Sequence, residues 1–173
     1  MFIDLSDVLL EHHKPIDLTV SVEMNEFCSA YEQLPILQKS PAHIVVKLVK
    51  QKELTVEGEC RLVLEIPCDR CLKPVETVFD LKFQNHIDLD DENQTDELDE
   101  KSYIDGYKLD VDKLLCNEML IGWPMKILCD EDCKGICNTC GQNLNEGTCN
   151  CEDTSLDPRM SVIRDVFKNF KEV

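Results

Sequence analysis

Cys129-Asp130-Glu131-Asp132-Cys133-Lys134-Gly135-Ile136-Cys137-Asn138-Thr139-Cys140 opens a run of six cysteines that Cys149-Asn150-Cys151 completes. A further pair, Cys68-Asp69-Arg70-Cys71, lies upstream. Thiolates are soft ligands, and four of them satisfy a tetrahedral zinc ion completely. A closed site of that kind supports folding and has no open position for catalysis. Eight of the eleven cysteines fall into such spacings, so this stretch reads as part of a zinc-stabilised scaffold carrying about two Zn2+ per chain.

The ligand sets follow from spacing. Cys137-Asn138-Thr139-Cys140-Gly141 has the form of a zinc knuckle: the tight turn aims backbone N–H groups at the sulfurs, and the glycine tolerates the positive φ such turns often need. Cys149 and Cys151 close that site from the far side of a loop in which Gly141, Asn143, Asn145 and Gly147 suit turns. The bland alternative is four reduced core thiols, but the surrounding residues are too polar for a core. Cys68 and Cys71 then take Cys129 and Cys133 as partners. The single-residue spacing of Cys149 and Cys151 is less usual than Cys-x-x-Cys, which leaves the pairing between the two sets open. Pro67 and Pro74 bracket the first pair, placing it on a turn between strands. A thioredoxin-like redox pair would need a helix to open there. Cys28, Cys60 and Cys116 are isolated and read as core or surface thiols.

Composition bounds the rest. At 173 residues with 43% hydrophobic and 6% aromatic content, the chain is one domain, or one domain with a small appendage, and its core is mostly Val, Leu and Ile. The formal charge is -17, and two four-thiolate zinc sites add roughly -4. That argues against a generally basic nucleic-acid surface and favours basic protein partners. The start, Met1-Phe2-Ile3-Asp4-Leu5, has neither a basic region nor a long apolar run, so no signal peptide is expected. Met119 to Leu128 is too short and too interrupted to span a membrane. Cysteine pairs in such a chain read as metal ligands before disulfides, and the expected compartment is the cytoplasm.

Strand patterns dominate the first half. Ile16 to Val22 alternates apolar and polar residues, His43 to Val49 is β-branched, Leu54 to Ile66 is long with Gly58 as a bulge or bend, and Val75 to Phe83 alternates again. Short connections between them predict an antiparallel sheet or partial barrel. Ser6 to His13 is a short helix candidate. Asp88 to Glu100 then holds eight acidic residues and no basic one. From Asp88 to Asp112 there are 11 acidic and two basic residues, a net of -9, or more than half of the whole excess. Self-repulsion predicts a mobile loop or linker. A helix near 112–121, capped by Asp110 or Asp112 and stopped by Pro124, restores order. Asp157-Pro158 opens a last helix with an apolar stripe of Met160, Ile163, Phe167 and Phe170. The expected domains are a β-rich body over 1–128 and a zinc-binding module with a C-terminal helix over 129–173, an α+β architecture.

Other motifs carry less. Asp88-x-Asp90-x-Glu92 begins like a calcium loop but lacks its glycine and distal spacing. His12, His13, His43 and His86 match no catalytic or metal spacing. Neither a phosphate-cradling loop nor a nucleophile elbow is present. Arg164, Lys168 and Lys171 share a helical face, where cations complement a helix C-terminus more readily than they announce a phosphate site.

Cys68-Asp69-Arg70-Cys71-Leu72-Lys73-Pro74, Cys129 through Cys137, Cys140-Gly141-Gln142-Asn143-Leu144-Asn145 and Asp157-Pro158-Arg159 resemble the bacterial YceD family in order along nearly the whole chain. The resemblance implies a part in accumulation of large-subunit ribosomal RNA, hence in ribosome biogenesis. It also implies two separable cysteine sites, since some members keep only the counterparts of Cys68, Cys71, Cys129 and Cys133. The leading expectation is therefore a non-enzymatic assembly factor whose acidic loop holds a basic ribosomal protein or a large-subunit precursor. Two rivals belong to other classes. A redox-responsive zinc chaperone would release zinc as it forms disulfides, and a direct RNA-binding protein would show steep salt dependence. Nothing in the sequence poses a nucleophile beside a base, so an enzyme is not expected.

Overall fold

The computed structural model describes residues 1–9, 14–28, 33–50, 53–88 and 103–151, with the backbone alone at Cys28 and Lys50. The predicted helix beyond residue 9, the acidic loop over 89–100 and the helix after Asp157 lie outside the described residues. Packing divides the chain into two units. The first comprises Met1–Ile66 and Val75–Met125, and the second comprises Pro67–Pro74 and the chain from Lys126.

The first unit is built on a six-stranded sheet with strands β2 (Ile16–Val20), β3 (Glu26–Cys28), β4 (Gln33–Lys39), β5 (Ala42–Lys50), β6 (Glu53–Pro67) and β7 (Pro74–Asp88). The 15-residue β6 is its axis. Leu54, Val56, Leu62 and Leu64 are fully buried along it, as suits a central strand. β7 shows the cleaner period of two: Phe79, Leu81 and Ile87 are buried between exposed neighbours.

β4 and β5 run along β6 as one interrupted strand. Ile36 pairs with Leu64 and Lys39 with Leu62, and the same direction continues from His43 opposite Glu59 to Lys50 opposite Glu53. The interruption falls at Pro41, which has no N–H to give the ladder. Ser40 carries the pairing across it. Its N–H donates to the Arg61 carbonyl at 2.8 Å, and its hydroxyl accepts the Arg61 N–H at 2.9 Å. β2 then adds to β5 in antiparallel register from Ile16 opposite Val46 to Val20 opposite Ala42, and β3 adds to β4. The antiparallel β-rich body expected from the sequence is present.

Against β5, Gly58 makes no bulge. It pairs in register with Ile44, and its missing side chain makes room for an aromatic ring: a Cβ there would run into the Phe83 ring.

A smaller sheet holds β1 (Phe2–Asp4), β8 (Ile104–Asp105) and β9 (Lys108–Asp110), in the order β1-β9-β8. β8 and β9 form a hairpin turning at Gly106-Tyr107. Asp105-Gly106 between apolar residues is a recognised hairpin signal, although it lies in a stretch dominated by negative charge. Helix α1 is the single turn Ser6–Leu9. Helix α2 spans Val111–Ile121. Asp110 is its cap, and its carboxylate accepts the N–H groups of Asp112 and Lys113 at 3.2 and 3.4 Å. Val111, Leu114, Leu115 and Met119 are the buried stripe, whereas Ile121 is 74% exposed. Just beyond the helix, Trp123 stacks on Phe27 with centroids 5.4 Å apart and meets Phe79 at 5.3 Å.

Candidate metal centres

The second unit brings all eight predicted ligands into two groups. The sulfurs of Cys68, Cys71, Cys129 and Cys133 lie within 4.8 Å of one another, and so do those of Cys137, Cys140, Cys149 and Cys151. The described distances in the first group are 3.9 Å for Cys68–Cys133 and 3.4 Å for Cys71–Cys129. A disulfide would need about 2.05 Å. Four sulfurs at about 2.3 Å from a tetrahedral ion stand about 3.8 Å apart. Each group is therefore a set of four soft donors at the right separation for a metal ion of that radius.

Two turns of the same design present the Cys-x-x-Cys pairs. In the first, Cys68 N–H donates to the Lys73 carbonyl at 2.8 Å, and Leu72 N–H donates to the Cys68 carbonyl at 2.9 Å. In the second, Cys137 N–H donates to the Gln142 carbonyl and Gly141 N–H to the Cys137 carbonyl, both at 2.8 Å. The chain so folded aims N–H groups inward at sulfur. Thr139 N–H reaches Cys137 Sγ at 3.4 Å.

This placement sets the thiol acidities. Burial resists ionisation of Cys68, but the N–H groups of Arg70, Cys129 and Cys71 outweigh it and bring the thiol down to about 6. Cys137 is brought to about 6 by the N–H groups of Cys140 and Thr139. Their neighbours move the other way. Cys129, crowded by Cys71 and Cys133, is pushed up to about 12, and Cys151, beside Cys140, is pushed up to about 12 as well. Four sulfurs packed together without a cation cannot all ionise. A divalent ion removes that conflict, which is the electrostatic case for a metal.

The two groups differ in exposure. Cys68, Cys71 and Cys133 are buried, and Cys129 is the outermost of its set. Cys140 and Cys151 are exposed, with Cys137 and Cys149 half-buried.

Residues between and beside the cysteines hold the first group together, and their role was not read from the sequence. Asp69 N–H donates to the Ile127 carbonyl at 2.8 Å, and the Asp69 carboxylate accepts the Ile127 N–H at 2.7 Å. Arg70 Nη1 donates to the Cys133 carbonyl at 2.7 Å. Gly135 lies so close to this turn that a Cβ would stand 3.0 Å from the Arg70 carbonyl oxygen. Acidic and basic residues inside a Cys-x-x-Cys loop look like surface charge in a linear reading. Their partners are about sixty residues away, so nothing local marks them.

Among the described thiols, Cys60 and Cys116 stand apart from both groups. Cys60 is buried, its Sγ 3.6 Å from the Ser40 carbonyl, and burial pushes its thiol up. Cys116 Sγ lies 3.7 Å from Met24 Sδ. Among the described histidines, His43 meets Asp17 at 2.8 Å and His86 meets Thr55 at 3.2 Å. The metal-capable groups among the described residues are the two cysteine sets alone. No described helix is long and apolar enough to cross a membrane.

Comparison with known proteins identifies the family. The chain is 28% identical to the large ribosomal RNA subunit accumulation protein YCED homolog 1, chloroplastic, of Arabidopsis thaliana, over 65% of this chain. It spans 44% of that relative's length. No solved structure matches. The family model for the large ribosomal RNA subunit accumulation protein YceD matches residues 56–167. That segment is well over half of the chain and contains most of β6, all of β7 and α2, and all eight clustered cysteines, so the chain belongs to the YceD family.

Proposed function

We propose that this chain is a non-enzymatic, cytoplasmic factor that supports accumulation of large-subunit ribosomal RNA. In this reading each set of four cysteines holds Zn2+, and the partner is a basic ribosomal protein or a large-subunit precursor. The observation that carries the proposal is the family match over residues 56–167, which encloses both cysteine sets. Zinc suits four thiolates in a tetrahedral frame, and a frame of four protein ligands has no place for a substrate. Its work is then to hold the second unit in shape for binding.

Charge directs the choice of partner. The formal net charge is -17. Phosphate binding relies on lysine and arginine displacing counterions, whereas a negative surface attracts basic proteins. The stretch Asp88 to Asp112, with its net of -9, is the strongest local source of that field.

The test is affinity capture from cells at low and moderate salt, with protein and RNA both identified. The wild-type chain is compared with a variant in which Asp90, Asp91, Glu92, Asp96 and Glu97 become Asn or Gln. Large-subunit proteins or their precursor should be enriched, and the variant should associate more slowly. The difference should shrink at high salt, because exposed charges are screened within about 8–10 Å. Equal capture rates together with normal large-subunit RNA levels would reduce the acidic stretch to a solvating linker. Capture that depends only on RNA would favour direct RNA binding.

A further inference from the structure

The two cysteine sets meet at one side chain. Asn145 Nδ2 donates to Cys133 Sγ, a member of the first set, at 3.3 Å. The same amide nitrogen donates to Asn143 Oδ1 at 2.9 Å. Its carbonyl oxygen Oδ1 accepts the Lys134 N–H at 2.7 Å. These partners settle the orientation of the amide, since a flipped group would face the Lys134 N–H with another donor.

Asn145 is carried by the loop of the second set. Cys140 precedes it and Cys149 follows it, so an ion bound by Cys137, Cys140, Cys149 and Cys151 closes the loop around it. Within that loop the Asn143 carboxamide oxygen accepts the Asn145 N–H at 3.0 Å. Leu144 N–H donates to the Gly135 carbonyl at 2.9 Å, and Ile136 bridges to Asn143. The segment between Cys133 and Cys137 is thus gripped by the loop that presents Asn145. An N–H donated to a thiolate stabilises its charge, and partners of this kind typically shift metal affinity 10–100-fold.

We infer that Asn145 couples the two centres: metal in the Cys137/Cys140/Cys149/Cys151 set holds Asn145 against Cys133 and so strengthens metal binding by the Cys68/Cys71/Cys129/Cys133 set. The coupling is reciprocal, as any linkage of binding free energies must be. Occupancy of either set then favours occupancy of the other, and the chain loads its two ions cooperatively. The inference rests on metal binding at both sets.

Cobalt titration of the reduced chain tests it. Co2+ bound by four thiolates shows charge-transfer and visible bands, so occupancy is read spectroscopically. Cys140→Ser isolates the first set and Cys71→Ser the second. Cys140→Ser is expected to weaken the first set by about tenfold or more, and Asn145→Ala in the otherwise wild-type chain should do the same. In the Cys140→Ser background, Asn145→Ala should add much less, because the support it removes is already gone. Asn145→Asp keeps the acceptor for the Lys134 N–H but places a negative charge beside Cys133, so it should bind cobalt at the first set more weakly than Asn145→Ala. The inference is overturned if Asn145→Ala costs the same factor in both backgrounds or costs nothing. It is equally overturned if Asn145→Asp matches the wild type. A wild-type chain that takes up no cobalt would instead remove the metal reading itself, and the coupling with it.

Discussion

Leu72 and Gly141 hold the same place in two turns of the same design. Each follows the second cysteine of a Cys-x-x-Cys pair, each donates its N–H to the carbonyl of the first cysteine, and each has a left-handed backbone, with φ of 62° and 74°. Glycine enters that region freely, whereas an L-residue with a side chain loses roughly 1–2 kcal/mol there. Leu72 gains little in return from packing, being 64% exposed.

Leu72→Gly should therefore be neutral to stabilising by up to about 1 kcal/mol, the relief of strain being partly offset by glycine's greater freedom when unfolded. Gly141→Ala should destabilise its turn by roughly 1–2 kcal/mol. Denaturant midpoints of the two variants give the comparison. A Leu72→Gly chain that loses more than about 1 kcal/mol would show that the leucine is held for another reason, such as a partner.

Purified reduced protein should contain about two zinc ions, and Cys140→Ser should lose one while keeping the other, read by elemental analysis. The sets should also differ in reach. Cys68 and Cys133 are 65 residues apart and Cys71 and Cys129 are 58 apart, whereas the second set closes only a local loop. Tying a long loop restrains the unfolded chain more. Cys71→Ser should then lower hydrogen-exchange protection broadly, and Cys149→Ser mainly between residues 136 and 151. Equal losses everywhere for both variants would contradict the division.

Metal affinity at the first set should rise with pH. Without metal, Cys68 at about 6 is already a thiolate at pH 7, whereas Cys129 at about 12 and the raised Cys71 still hold protons. Uptake must expel at least those two protons, so binding strengthens by at least about two orders of magnitude per pH unit between about 6 and 8. Below about 6, Cys68 is protonated too, and the dependence steepens. Competition titrations with a chelator of known pH behaviour measure the slope. A flat profile would mean that the protons do not leave on binding.

Gly58→Ala should destabilise the first unit by about 1–3 kcal/mol, because the new Cβ meets the Phe83 ring. The loss should shrink when Phe83→Ala is added, since the clash is then absent. Urea denaturation of the four chains in that cycle decides it. Additive losses would show that Gly58 is needed for its backbone and not for the ring.

By itself the sequence determined the type of protein: an antiparallel β-rich body, a helix capped near residue 110, and two sets of four cysteines that the fold gathers into clusters able to hold a metal ion. Those features are periodic or local. Alternation along β7, the β-branched run of β5 and the Cys-x-x-Cys-Gly turn each declare themselves within about ten residues. Tertiary structure alone decided what depends on distant partners. Pro35 and Pro41 made β4 and its join to β5 illegible, because only the neighbouring β6, through Arg61, shows how Ser40 keeps the ladder whole. Gly58 reads in sequence as a bulge or bend, and only Phe83, 25 positions away, shows what its missing side chain makes room for. Nothing near Asp69 and Arg70 in the sequence marks their partners: the Asp69 carboxylate accepts the Ile127 N–H, and Arg70 donates to the Cys133 carbonyl. Asn145 looked like a turn residue, and it is one; that it also touches a sulfur of the other set is a matter of where the chain returns. Hydrogen bonds and ring contacts act over a few ångströms in space, whatever the separation along the chain, so spacing in one dimension cannot announce them.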